Sequence, residues 1–399
     1  MNVPVLRPIV VRDAPRLKTQ PWSSRAKTAR PIRHPWFIVT IVLGVALLAV
    51  SFGAVLWDNI FPLHGATASQ NPLQTIVFTQ HQNGRTQIFT VDSHGQNLRQ
   101  ITAEDANTTQ VSWSADGKRL VFVNDIDGHE QIYRIDATGT REARLTNDNL
   151  RDIAPSWSPG NLEISYIGVG GSNSAIWIIN SDGTSPRKAT DPSKTGTVFA
   201  PLAWAPDGHR IAFASGSSDR ANIMLLTPKT GELRQLTNLR GYATNPTWSP
   251  DGTTLVFTVA TTDSPTSYSV LYTIHADGTG LTQITNGDEH DGRPTWSPDG
   301  SHIAFVRMAN QRSALFVVNA DGSNARQLTF ATGGQMFDFP AWTPDGGSIL
   351  FVRHSFPSSP SDTATLEAID TGGDNLRTLS TTLAPDAWPV IRPAIRPTP

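Results

Sequence analysis

The chain of 399 residues carries 32 Lys and Arg against 34 Asp and Glu, with 31 Gly, 29 Pro and no Cys. The missing Cys excludes disulfides, thiolate catalysis and Cys-ligated zinc, while Gly and Pro at this level, with only 17% charged residues, favour strands and turns over long helices. Eight bases but one acid, Asp13, fall within residues 1–35, so the rest carries a formal charge of −9; without clustered Lys and Arg, no nucleic acid is expected as a partner.

Residues 1–35, rich in Pro and Arg and without a hydrophobic period, read as a disordered basic cytoplasmic tail. Residues 36–57 run for 22 positions without a charge, with Trp36 and Trp57 at the two ends. At about 1.5 Å per residue such a helix spans the ~30 Å hydrocarbon layer, and the indoles suit its interfaces. The small-residue pattern Ala66-Thr67-Ala68 resembles a cleavage site, but the apolar run is too long for a signal peptide. A single-pass helix in the plasma membrane is therefore expected, with the basic N-terminus inside and everything after Asp58 extracytoplasmic. Residues 58–74 read as a linker.

From residue 75 onward one unit recurs. Trp113, Trp157, Trp204, Trp248, Trp296 and Trp342 each open a copy of a WSPDG-like turn, at intervals of 44, 47, 44, 48 and 46, and Trp388 follows 46 residues later. A period in this range, with strand-like segments between the marks, means supersecondary units that must stack to bury their faces. Four strands, A to D, are predicted per unit. A ends in the Trp; B is an alternating run such as RLVFVN (119–124) or HIAFVR (302–307); C leads into a Gly turn; D closes with a Leu-Thr pair such as Leu145-Thr146. In the A-to-B turn Pro presets φ, Asp bonds local backbone and Gly accepts positive φ. Pro155, Pro246, Pro294 and Pro340 sit two residues before their Trp, which is tolerable on a strand with one unpaired side. Strand A is thus expected at an edge, lining a central channel.

On these turns and strands the chain resembles the TolB-type, WD40-like repeat proteins of the PD40 family. The resemblance covers residues 75–390 and implies an all-β fold, a seven-bladed β-propeller of four-stranded blades, following the transmembrane helix. Residues 75–102 supply strands B to D with no Trp turn ahead of them, and residues 384–389 supply a Trp-bearing strand with no B after it. Pairing of the C-terminal strand with the N-terminal blade is therefore expected to close the ring. Residues 391–399 form a Pro-rich tail.

No GxSxG elbow, HExxH pair or Walker loop occurs, so no catalytic residue, metal or cofactor is assigned. The D-to-A loops deliver Asp105, Asp152, Asn245, Asp288, Glu289, His290, Asp291, Arg293 and Asp338 toward one face of the ring. Of these, Asp152, Asn245, His290, Asp291, Arg293 and Asp338 are the expected binding residues at the channel mouth. The leading expectation is a membrane-anchored, non-catalytic scaffold or sensor that binds a protein or peptide there. The alternative is a metal-dependent carbohydrate-active enzyme, a lyase or hydrolase, with its site in the channel. The related propeller of oligogalacturonide lyases implies several His ligands, and only His290 lies in such a loop.

Overall fold

The computed structural model describes residues 74–391, apart from 104–105, 127, 218–219, 262–267, 287–288, 310–311, 331–334, 356–362 and 384–388. Each Trp-to-Trp interval folds into one antiparallel unit, because its β-branched runs are long enough for a ladder and its Asp-Gly turns are tight enough to reverse the chain. Unit 1 holds β1 (Thr75–Gln82), β2 (Arg85–Asp92) and β3 (Arg99–Gln100). Unit 2 holds β4 (Asn107–Trp113), β5 (Arg119–Ile126), β6 (His129–Asp136) and β7 (Ala143–Arg144). Unit 3 holds β8 (Arg151–Trp157), β9 (Glu163–Gly170), β10 (Asn173–Asn180) and β11 (Arg187–Lys188), followed by the short helix α1 (Pro192–Thr195).

Unit 4 holds β12 (Thr197–Trp204), β13 (Ile211–Gly216), β14 (Ala221–Thr227) and β15 (Glu232–Gln235). Unit 5 holds β16 (Tyr242–Trp248), β17 (Thr254–Ala260), β18 (Ser269–His275) and β19 (Thr282–Gln283). Unit 6 holds β20 (His290–Trp296), β21 (His302–Ala309), β22 (Arg312–Asn319) and β23 (Arg326–Gln327). Unit 7 holds β24 (Gln335–Trp342), β25 (Ser348–Ser355), β26 (Thr363–Asp370) and β27 (Arg377–Leu383). The last strand, β28 (Val390–Ile391), returns to unit 1 and pairs antiparallel with β1, Val390 opposite Val77 and Ile391 opposite Ile76.

Most outermost strands are only two residues long, and the closing Thr explains why that suffices. Its hydroxyl accepts the next N–H of the third strand: Ile132 to Thr146 at 3.0 Å, Ile176 to Thr190 at 2.8 Å and Leu315 to Thr329 at 2.9 Å. The hydroxyl thus stands in for a ladder carbonyl. At the opposite end, Ser297 donates to Asp299 at 2.5 Å, Asp299 accepts the Ser301 N–H at 3.0 Å, and Gly300 takes φ 74°. The Ser297 and Ser301 donors hold the Asp299 carboxyl down at about 2. The Asp of this motif is therefore a turn brace.

The core lies between consecutive units. Phe78, Phe122, Tyr166, Phe213, Phe257, Phe305 and Phe351 occupy one equivalent position of the second strands and are all fully buried. Around them Val77, Ile88 and Ile101 of unit 1 meet Val111, Trp113 and Leu120 of unit 2, and Ile76, Phe78 and Val91 of unit 1 meet Leu350, Val352 and Leu366 of unit 7. The Trp side chains rivet neighbours together. Their Nε1–H groups donate backward: Trp248 to the Ala203 carbonyl at 3.0 Å, Trp296 to Thr247 at 3.3 Å, Trp342 to Thr295 at 3.1 Å, and Trp113 to Val390 at 3.1 Å. Trp157 breaks the pattern, its buried Nε1 lacking a partner.

Two expectations are corrected. The sheets form an all-β, multi-bladed, propeller-like arrangement but do not join into a closed barrel, because the backbone ladder runs along each unit and, among the described residues, crosses between units only at single bridges such as Ala221 with Tyr242 and Gln80 with Leu383. The proposed transmembrane helix at 36–57 lies outside the described residues, as do the basic tail, most of the linker and the strand around Trp388. Among the described residues no helix is long and apolar enough to cross a membrane. The four residues of α1 rise only about 6 Å. The expected membrane anchor, extracytoplasmic location and membrane partner therefore find no support among the described residues.

If the indole rivets hold the units together, Trp248→Ala should lower the unfolding free energy by about 3–5 kcal/mol. Trp248→Phe, which keeps most of the packing but loses the bond to Ala203, should cost about 1–2 kcal/mol. Chemical denaturation of both variants checks the order.

Candidate functional site

Every described Trp-bearing first strand is interrupted at the same place. The register to the second strand slips between Thr109 and Ser112, Ile153 and Ser156, Thr244 and Thr247, Gly292 and Thr295, and Asp338 and Ala341. The residue three before the Trp takes a left-handed conformation in each: Gln110 (φ 52°), Ala154 (φ 53°), Asn245 (φ 52°), Arg293 (φ 56°) and Phe339 (φ 53°). In unit 4 Pro201 holds this position, after a cis Ala200–Pro201 peptide. For Ala, Arg and Phe this conformation costs roughly 1–2 kcal/mol each. A bulge of this kind leaves one residue out of the ladder and re-aims its side chain.

Four of these positions open onto one cavity of about 310 Å³ at the inner edges of the units, walled by Pro201, Asn245, Arg293 and Phe339 together with Trp296 and Trp342. Val390 and Ile391 of β28 complete its wall. Arg293 is fixed on two sides: its Nε donates to Asp338 Oδ1 at 2.7 Å, and its guanidinium carbon lies 4.1 Å from the centre of the Phe339 ring. The same Asp338 oxygen accepts the Phe339 N–H at 2.9 Å. Gln110, on the other side of the ring, caps the bulge of unit 3 by accepting the Ala154 N–H at 2.6 Å. Larger clefts of about 440 and 630 Å³ lie between successive WSPDG turns, walled by turn residues such as Asp299 and Asp251. Those carboxylates are already committed to their own turns.

The six residues expected at the channel mouth have different fates. Asn245 and Arg293 line the axial cavity, and Asp338 is bound to Arg293 beside it. His290 is exposed at the start of β20. Asp291 is fully buried and accepts two bonds from Arg307, at 2.7 Å from Nε and 2.8 Å from the terminal nitrogen, while Glu289 lies 3.1 Å from the same guanidinium. Arg307 in turn stacks over Phe316 at 4.8 Å. Asp291 is thus held inside unit 6. Asp152 is also fully buried, and neither of its carboxyl oxygens has a hydrogen-bond partner. Asp105 and Asp288 lie outside the described residues. Among the described residues no group of three or more His, Cys, Asp or Glu is placed to hold a metal ion.

Pro201 and Phe339 were not among the expected site residues. Their signal is positional: three before each Trp the residue type varies freely, through Gln, Ala, Pro, Asn, Arg and Phe, while the residues around it repeat.

The burial of the Asp291–Arg307 pair makes it the more consequential ion pair. Asp291→Ala, which strands a mostly buried guanidinium, should destabilise the fold by about 3–5 kcal/mol. Asp338→Ala, at a half-exposed pair, should cost within about 1 kcal/mol. Urea unfolding of the two variants provides the comparison.

Several known proteins are similar to the chain. The solved structure of an oligogalacturonate lyase in complex with manganese superimposes with a TM-score of 0.56 at 15% identity, covering 77% of this chain and 86% of the lyase. A puromycin-hydrolyzing peptidase of Mycobacterium tuberculosis gives a TM-score of 0.57 at 16% identity, over 78% of this chain and 54% of that one. The peptidase YuxL of Bacillus subtilis is 38% identical over 58 residues, which is 14% of this chain and 9% of YuxL. The chain therefore spans about half of the puromycin peptidase and a small part of YuxL. At such identities the structural likeness shows the fold alone. The expectation of a non-catalytic scaffold for a protein or peptide finds no support in this likeness, since the similar solved structures include a lyase and puromycin hydrolases. The family model for the TolB beta propeller domain, PD40, matches residues 63–167, 136–270 and 164–396, and the chain belongs to that family.

Proposed function

We propose that the chain is a carbohydrate-active enzyme, a lyase or hydrolase, that works on an oligosaccharide held in the axial cavity against units 4 to 7. The observation that carries this reading is the wall itself: Asn245, Arg293 and Phe339 enter one cavity from the same bulge of three successive units. Flat apolar surfaces such as Phe339, Trp296 and Trp342 suit the C–H faces of a sugar ring. Planar polar groups such as Asn245 and Arg293 suit its hydroxyl and carboxyl oxygens.

A manganese ion is bound by the lyase of similar fold. The donors described in this chain do not fit a metal, because no group of three or more of them converges, and no step is routed through one. The chemistry rests on the chain's own pair. Arg293 provides fixed positive charge where negative charge develops on a substrate carboxylate, a form of stabilisation that needs no reorganisation during reaction. Asp338, tied to Arg293 at 2.7 Å beside the cavity, is assigned as the base: in elimination it takes the proton from the carbon next to the substrate carboxylate as the glycosidic C–O bond breaks, and in hydrolysis from the water that attacks that bond, the departing oxygen gaining its proton from solvent in either case.

The test is an activity screen of the purified full chain on neutral and acidic oligosaccharides, reading the ultraviolet absorbance of unsaturated ends for elimination and new reducing ends for hydrolysis. Cleavage of at least one acidic oligosaccharide is expected, with kcat/KM lowered about 100-fold in Arg293→Ala. No cleavage across the panel, or cleavage undiminished in Arg293→Ala, would overturn the assignment; hydrolysis of a control peptide panel alone would move the protein to the peptidases.

A further inference from the structure

Units 3 and 6 contain the same carboxylate in two different settings. Asp152 of β8 lies across the ladder from Gly168 of β9, as Asp291 of β20 lies across from Arg307 of β21. Partners directly across an antiparallel ladder point to the same face. In unit 6 that face supplies a guanidinium, which binds both oxygens of Asp291. In unit 3 there is no side chain at Gly168, and the space is taken by Leu150 and the edge of the Trp177 ring, its Nε1 included. A Cβ at Gly168 would meet the Trp177 ring at 2.8 Å and a Leu150 methyl at 3.0 Å, and a Cβ at Gly170 would meet the other Leu150 methyl at 2.9 Å. Neither glycine has positive φ, so close approach is what requires them. Leu150 is seated on both, and Trp177 fills the position that Phe316 holds in unit 6.

From this geometry we propose that Asp152 is a proton-controlled latch: its carboxyl, when protonated, rests under the Leu150 and Trp177 lid, and its ionisation loosens that lid and the loop of residues 147–150 at the start of β8. Neither carboxyl oxygen has a hydrogen-bond partner, and the face holds a Leu150 methyl and the edge of the Trp177 ring, whose Nε1 makes no bond to the carboxyl; a charge in such a place is removed by protonation or by admitting water. Burial pushes the Asp152 carboxyl from its usual 3.8 up to about 7, which puts the change near neutrality. The groups facing it act in both directions. The Thr146 hydroxyl, outside hydrogen-bond geometry, and the Arg144 guanidinium lower the value, while Asp148 raises it. Tyr166, on the same sheet, is pushed up by its burial and then by Asp152 and Asp148, and stays neutral. Arg151, the preceding residue, is engaged by Glu130 instead.

The sign follows from linkage. A carboxyl that holds its proton more tightly when folded adds stability below its unfolded value, and that stability is lost as pH rises toward the folded value and levels off above it. The latch therefore weakens from about pH 4 to about pH 7 and is open beyond.

Thermal unfolding of the full chain between about pH 5 and pH 9, with amide exchange of the peptide containing residues 147–157, reads both consequences. Relative to Asp152→Asn, which stays neutral, the wild-type midpoint should drop by several degrees up to about pH 7 and then run parallel. Exchange in 147–157 should rise over the same window in wild type beyond its rise in the variant. Asp148→Asn, by removing the neighbouring charge, should move both inflections to lower pH. A difference from Asp152→Asn that does not depend on pH, or an inflection that Asp148→Asn leaves in place, would overturn the latch. Neither outcome bears on the catalytic reading of the axial cavity.

Discussion

A buried indole N–H left without an acceptor is costly, and in five of the six described repeat Trp residues it finds one across the boundary between units. In units 4 to 7 the Trp that ends the first strand reaches back to the carbonyl just before the corresponding Trp of the preceding unit, as Trp248 does to Ala203 and Trp296 to Thr247, whereas Trp157 of unit 3 has no such partner. One interaction thereby fixes the spacing and the tilt of consecutive units, and the apolar clusters between them fill in around it. No unit of about 45 residues could bury both of its faces alone. The pairing of β28 with β1 brings the same rivet to unit 2, because Trp113 donates to Val390.

The bulge that precedes each Trp follows from the same constraint. Pro246, Pro294 and Pro340 remove a donor from the inner edge, and the residue before each is turned into the left-handed region, leaving the ladder. The backbone is thus held constant from unit to unit while one side chain per unit is released toward the axis. Units 5 to 7 spend that freedom on Asn245, Arg293 and Phe339, and units 2 and 3 on Gln110 and Ala154, which bond to one another. The cavity is asymmetric as a result. Its chemistry is gathered on the side of units 4 to 7.

The unit boundaries were legible in the sequence because they are written in local chemistry: the Trp interval, the Ser-x-Asp-Gly brace and the closing Thr each act within a few residues. The site was legible in part. Asn245 and Arg293 could be placed at the inner edge from the position of Pro246 and Pro294, but Asp291 and Asp152 could not be told apart from them, since what decides their roles lies across the ladder. The partner of each carboxylate stands 16 residues later, an Arg in one unit and a Gly in the other. The Arg293–Asp338 pair joins two units 45 residues apart and carries no mark in either segment alone. Phe339 was hidden for a different reason, because an aromatic residue ahead of a Pro reads as core, and here it packs against the core while the bulge also brings it to the cavity wall.

Catalysis as proposed requires that ligand bind in the axial cavity. The most direct measurement is a crystal structure of the protein soaked with an acidic oligosaccharide. Density in the axial cavity, in contact with Asn245, Arg293 and Phe339, is the result the account predicts; a ligand bound only in the clefts between the WSPDG turns, with the axial cavity unaltered, would contradict it.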